Sequence, residues 1–294
     1  MTTTSGTSDP SEHIVVSGYG RNVIRKLSRN PLAMIAAFIL IAIVLIAVLS
    51  PWITPMDPYR TSMLRRLRPI GDPVFWLGSD ELGRDMLSRL MLGGRLSLLI
   101  GLTPVISAFV IGSTIGIVAG YVGGWLNTIL MRMIDILFAF PSVLLAVALS
   151  GALGPGIFNT IVALTFVFIP QIARVAESVT AQIRNRDYVD AARLSGASSL
   201  TIVRVQILRN VLGPIFVYTT SLLSVSMILA AGLSFLGLGV RPPEPEWGLM
   251  LSTLRSSLYV NPFVAALPGL AIFIVSLSFN ILSDGLRSAM EVKE

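Results

Sequence analysis

The sequence has no cysteine, one histidine and only two lysines in 294 residues. Without cysteine there is no disulfide frame and no thiolate metal or redox centre. The one imidazole, His13, sits in a Ser/Thr/Gly-rich leader. A histidine metal cluster or a Ser-His-Asp triad therefore has no ligands or base to draw on. Neither Lys26 nor Lys293 follows glycine in a G-x-x-x-x-G-K-[ST] run, so the chain has no P-loop of its own for ATP. Charge is scarce too: 13% of residues are charged and 53% hydrophobic, where a soluble domain carries about 25% charge. A deficit of this size points to a membrane protein, provided the apolar residues come in spanning blocks.

They do. The first charge-free run is 32–50, followed by Pro51, Pro55 and Pro58, which are expected to end it. No small-residue cleavage site follows that run, so it is read as a retained span. Further spans are expected at about 97–120, 129–150, 158–177, 213–235 and 263–283, with a polar insert at 180–211. Six spans place both termini on one side. The segments on that side carry 13 Lys/Arg against nine on the other, which favours termini inside. The long 51–95 segment is then outside. Residues 18–29 alternate Val23, Ile24 and Leu27 with Arg21, Arg25 and Arg29, as a helix on the inner membrane surface would. Residues 1–12 read as disordered.

Gly112, Gly116, Gly120 and Gly124 recur every four residues and would form a smooth stripe for close helix packing. Arg132 with Asp135, and Arg174 with Glu177, are spaced for ion pairs within their helices. The cores of spans one, two, five and six hold no ionisable residue, although ion-coupled carriers usually need such groups at mid-membrane. An ion-coupled secondary transporter is thus the weaker reading, and a membrane enzyme lacks a catalytic constellation. Energy for transport is expected to enter from elsewhere.

The polar insert holds "DYVDAARLSGASSL", 187–200. Asp187 is placed to cap a helix over about 188–195, with Asp190 at its third position. Gly196 suits the left-handed residue that ends a helix. Ser198 or Ser199 would cap a second helix, about 200–209, leading to Gly213-Pro214. A two-turn helix is marginal alone. Its small centre, Ala191-Ala192, and charged rim suit insertion into a groove on another protein; the alternative is a surface helix tucked on its own chain.

This insert resembles the "EAA" loop of membrane subunits of ABC-type importers: Asp190-Ala191-Ala192, Gly196, then Gln206, Leu208 and Arg209 where the pattern has I-x-L-P. "LGSDELGRDMLSRL" (77–90), "SFLGLGVRPPEPEWGLML" (234–251) and "FNILSDGLRSAM" (279–290) resemble the C-type permease subunits of dipeptide, oligopeptide and nickel importers, with Phe75 where many members have histidine. The resemblance implies an all-α integral membrane fold of the type I importer permease, with six transmembrane helices and a cytoplasmic coupling helix. The implied domains are a tail and interfacial helix (1–31), the first span (32–50), an extracytoplasmic segment (51–95), a five-helix core (96–283) holding the 180–211 loop, and a cytoplasmic tail (284–294). It also implies ATP-driven import of di- or oligopeptides across the bacterial cytoplasmic membrane; nickel chelates, glutathione or haem are the alternatives. ATP and magnesium would belong to two separate ATPase subunits or one fused chain. A second permease, a substrate-binding protein and membrane lipid complete the implied partners, with no nucleic acid. Asp187, Tyr188, Asp190, Ala191, Ala192, Leu194 and Gly196 are the implied ATPase contacts. Ser79 is read as capping a helix begun by Asp80 and Glu81, and Trp76 and Trp247 as interfacial anchors; the segments 72–95 and 240–262 are candidates for meeting the binding protein.

Overall fold

The computed structural model describes residues 19–290; the leader over 1–12, His13 and Lys293 lie outside them. Among the described residues the chain is helix and loop, apart from one isolated bridge between Ser79 and Asp85. Helix α1 (Tyr19–Ser28) lies against α2 and α11, with Val23 and Leu27 partly buried and Ile24, Arg25 and Arg29 exposed. Asn30 then caps α2 (Pro31–Ile53) by accepting from the Ala33 amide at 3.3 Å, with proline at the first helical position. Pro51 does not end this helix, as expected from the sequence, but sits inside its last turn; the chain leaves at Thr54, just before Pro55.

The second long helix, α3 (Met86–Val122), starts eleven residues earlier than the apolar run and has 37 residues. Its cap is Asp85, which accepts from the Ser88 amide and hydroxyl at 2.9 and 2.6 Å. Ser79 caps no helix. It is bonded instead to the Arg65 carbonyl and the Arg68 amide, because 79–84 folds as a tight turn around Asp80. Helix α3 stops at Gly123, where φ is +69°.

Span three is two helices, α4 (Gly124–Phe138) and α5 (Ser142–Leu153), bent by 86° at 139–141. Pro141 supplies the break: it has no N–H to carry the ladder on. Helix α6 (Ile157–Arg184) follows, then α7 (Asp187–Leu194), α8 (Ser199–Ile202), a π-helical segment Val203–Ile207 and α9 (Leu208–Phe235). These last three pieces run on as one 37-residue helix, so Pro214 lies inside it and does not open a span. A proline within a membrane helix is tolerated where neighbours re-satisfy the backbone. Finally come α10 (Trp247–Thr253) and α11 (Pro262–Met290).

Five of these helices are long and apolar enough to cross a membrane, six if the bent pair counts as one. Helices α3 and α6 form the largest interface, and one apolar core runs from them into α9 and reaches Val189 of α7. A second core joins α2, α3, α9, α10 and α11 through Leu40, Met86, Met227, Trp247, Met250 and Val275. Trp247 is therefore a core residue, 3% exposed, and not an interfacial anchor; Trp76 is 68% exposed.

Candidate functional site

Helix α7 is seated on the bundle chiefly by Val189. Val189 is fully buried in the main core, and Ala192 and Ala197 pack partly against it. Asp187, Tyr188, Asp190, Ala191, Leu194 and Gly196 face outward. Of the two central alanines only Ala191 is presented; Ala192 seats the helix on its own chain. Asp187 is not the cap. Arg186 takes the extended backbone before the helix, with no side-chain cap bond, so Asp187 is the first helical residue. Asp187 and Asp190 still place negative charge at the positive end of the helix dipole, and Asp190 accepts from Arg193 Nη1 at 2.8 Å. The C-terminus closes as a Schellman turn: the Ala197 amide donates to the Ala192 carbonyl at 3.1 Å and the Gly196 amide to Arg193 at 3.0 Å, with Gly196 at φ +79°.

Two large apolar side chains flank that turn in the open. Leu194 is 90% exposed and Leu200 78%. Leu200 is an exposed residue beside the candidate site that the sequence did not single out. Its one signal was a lone leucine behind the Ser198 cap, which accepts from the Thr201 amide at 3.3 Å.

Both stems of α7 are stiff. On one side α6 is pressed against the glycine stripe of α3. A Cβ at Gly112 would lie 2.9 Å from the Ile169 carbonyl oxygen, one at Gly116 would lie 2.6 Å from Ala176 Cβ, and one at Gly120 would lie 2.7 Å from the Glu177 carbonyl oxygen. Gly124 is off the stripe, because the break at Gly123 starts a new helix; a Cβ there meets nothing within 4 Å. On the other side α7 joins the continuous 199–235 helix. Tyr188 Oη accepts from Asn210 Nδ2 at 3.4 Å, across that joint. Arg209 stands where the importer pattern has proline, and its N–H lets the helix continue. The expected charge pairing is also rearranged. Arg174 pairs with Asp135 on the neighbouring helix, and Glu177 accepts from Asn127 Nδ2 at 2.7 Å.

At the opposite end of α3, residues 54–85 fold into a cap over the helix start. Asp80 is 2% exposed and holds Arg84 at 2.5 Å and Arg89 at 3.3 Å, while Arg89 Nη1 donates to the Pro58 carbonyl. Glu246 caps α10 by accepting from the Gly248 and Leu249 amides at 2.9 and 2.8 Å, and it accepts from Ser97 Oγ at 3.1 Å. Burial pushes the Glu246 carboxyl above its ordinary range, against the pull of those donors. Tyr59 Oη donates to Glu244 at 2.9 Å; burial first, and that carboxylate second, push its hydroxyl up to about 12. The cap is thus tied through Tyr59 to the loop before α10, and α3 holds the start of α10 through Ser97. No group of His, Cys, Asp and Glu that could hold a metal occurs among the described residues.

An apolar bundle with a short exposed helix on two stiff stems is the architecture expected for an importer permease, and comparison decides the family. Residues 112–292 match the model of the binding-protein-dependent transport system inner membrane component, and 18–69 match the N-terminal TM domain of oligopeptide transport permease C. The chain belongs to the permease subunits of ABC importers. The permease is 40% identical over 273 residues to the glutathione transport system permease protein of Pectobacterium atrosepticum, covering 93% of this chain and 91% of the relative. It is also 40% identical over 291 residues to the di/tripeptide transport system permease protein of Pseudomonas aeruginosa, covering 97% and 95%. Its fold matches the inward-facing MetNI methionine ABC transporter with a TM-score of 0.58 at 21% identity, over 69% of the permease and 97% of that chain. The permease is thus a multi-pass membrane protein of the type I fold, and its family works with ATPase and substrate-binding partners.

Proposed function

We propose that this permease imports short peptides across the cytoplasmic membrane, with both termini inside and α7 as the element that receives motion from separate ATPase subunits. What supports the reading is the exposed face of α7. The two-turn helix leaves Leu194 bare to solvent, and Leu200 lies bare just beyond its closing turn; together they form apolar surface that a partner groove would cover. The absence of a P-loop from the sequence assigns ATP hydrolysis to partner chains, and the permease itself carries no catalytic role. A second permease, two ATPases or one fused chain, and an external binding protein complete the assembly. To transmit work, the ATPase groove must hold α7 more tightly in one global state than in the other. The peptide reading rests on the di/tripeptide relative; glutathione, itself a tripeptide, is the cargo named for another at equal identity.

The test is ATP-driven uptake of a labelled dipeptide into proteoliposomes holding the complete transporter. Leu194→Asp is expected to reduce uptake by more than about tenfold, since a leucine buried at an interface contributes roughly 1.5–3 kcal/mol. Gly196→Val is expected to do the same, because a β-branched residue is strained at a φ of +79°. Both proteins should still insert and purify. Normal uptake by both would refute the coupling role of α7.

A further inference from the structure

The run 279–290 closes α11 and has no part in the site described above. Within it, Asp284 and Arg287 lie three residues apart, so their side chains leave the same face of the helix. Asp190 and Arg193 have the same spacing and order on α7, and they close into an ion pair at 2.8 Å. Asp284 and Arg287 do not. Among the described residues neither has an ion-pair partner. Both instead line a cavity of about 540 Å³ between α6, α9 and α11. Tyr218 and Ser221 add hydroxyls to its wall, and Val217 and Met290 add apolar surface. The cavity lies at the α7 end of the bundle: Pro214 on its wall is four residues past Asn210, the partner of Tyr188.

Two opposite charges on one helix face, unpaired and set over a space of ligand size, are complementary to a molecule that carries both charges. A guanidinium takes a carboxylate through two parallel N–H donors, and a carboxylate accepts from an ammonium. We propose that this cavity binds the zwitterionic backbone of a short peptide on the inner side of the bundle, its terminal ammonium toward Asp284 and its terminal carboxylate toward Arg287. Recognition is of the two termini and not of side chains, so peptide sequence matters little here. The proposal rests on the peptide-import reading and adds a station on this chain that the external binding protein does not supply.

The experiment uses the assembled permeases and ATPases in phosphatidylglycerol nanodiscs, without the binding protein, and measures equilibrium binding of tritium-labelled alanyl-alanine. Saturable binding is expected, displaced by unlabelled dipeptides of other sequence but not by N-acetylated or C-amidated alanyl-alanine. Asp284→Asn and Arg287→Gln should each weaken binding by about tenfold or more, Asp284→Glu should stay within roughly threefold of the parent, and Arg287→Lys, which keeps the charge but not the paired donors, should fall between. Three results would overturn the proposal: undiminished binding by the neutral variants, equal competition by the blocked peptides, or competition by glycerophosphoethanolamine as strong as by the dipeptide, which would give the cavity to a lipid headgroup. Uptake of the same peptide by the complete transporter is measured in parallel. Uptake without binding removes the cavity proposal alone; failure to take up any peptide removes the import reading beneath it.

Discussion

Replacing Gly116 by alanine adds one methyl group to the α3–α6 seam, and the surroundings give it no room. The new Cβ would press on the Ala173 carbonyl oxygen and lie 2.6 Å from Ala176 Cβ and 2.8 Å from the Glu177 amide nitrogen. Ordinary carbon contacts are about 3.5–4.0 Å, so the helices must part by roughly 1 Å and forfeit a quarter to a half of the dispersion energy along the seam. Overpacking typically costs about 1–3 kcal/mol. Two of the three neighbours are backbone and cannot rotate away, which places this case near the top, about 2–3 kcal/mol. Gly232, inside α9, is the control: a Cβ there meets nothing within 4 Å, and alanine should add about 0.5–1 kcal/mol through helix propensity alone. The assay is thermal unfolding of the purified transporter in detergent, followed by tryptophan fluorescence. Gly116→Ala should lower Tm by roughly 3–5 °C and Gly232→Ala should hold or raise it. Equal Tm values for the two variants would show that the stripe is not in backbone contact and would refute the reasoning.

Two further outcomes follow from the outer cap. Asp80→Asn leaves Arg89 buried beside a neutral amide, with Arg84 keeping Glu81 at 3.0 Å as its partner, which should cost about 3 kcal/mol, read as a loss of Tm and of purified yield. Glu246 has a folded-state pKa raised above its ordinary value of 4.5 by burial, so the folded protein holds that proton to higher pH than the unfolded chain does. Its contribution is therefore full below about 4.5 and is lost as pH rises through the folded value. Glu246→Gln should flatten that part of the Tm-against-pH curve, and an unchanged slope in the variant would contradict the assignment.

The spans were legible because their signal is length and composition: 32–50 and 263–283 fall inside α2 and α11. Boundaries were less so. Proline was read as a terminator, yet Pro51 and Pro214 lie within helices; at Pro51 the freed Ala47 carbonyl accepts from Ser50 Oγ of its own helix at 2.7 Å. At α4–α5 the reverse happened. A continuous apolar run hid an 86° bend that only the backbone reveals. Gly196 was readable because a left-handed turn has few alternatives. The capping of α7 was not, since Arg186 supplies the extended residue and any residue can adopt that conformation. Ion pairs were misassigned for a simple reason: helical spacing sees only one helix, and Asp135 found its arginine on another.

The length of α3 has a mechanical consequence. Its 37 residues make a rod of roughly 55 Å, well beyond a hydrocarbon layer of about 30 Å. The surplus is at the charged end, around Arg89 and Arg95, so the first turns stand above the membrane like the top of a mast. The distance from Gly116 to that masthead is about 45 Å. Were the rod to rock by about 5° on its glycine bearing, the rigging fastened at Arg89 and Leu90 would swing by about 3.5 Å, and that at Ser97 by about 2.5 Å, on the far side of the bilayer.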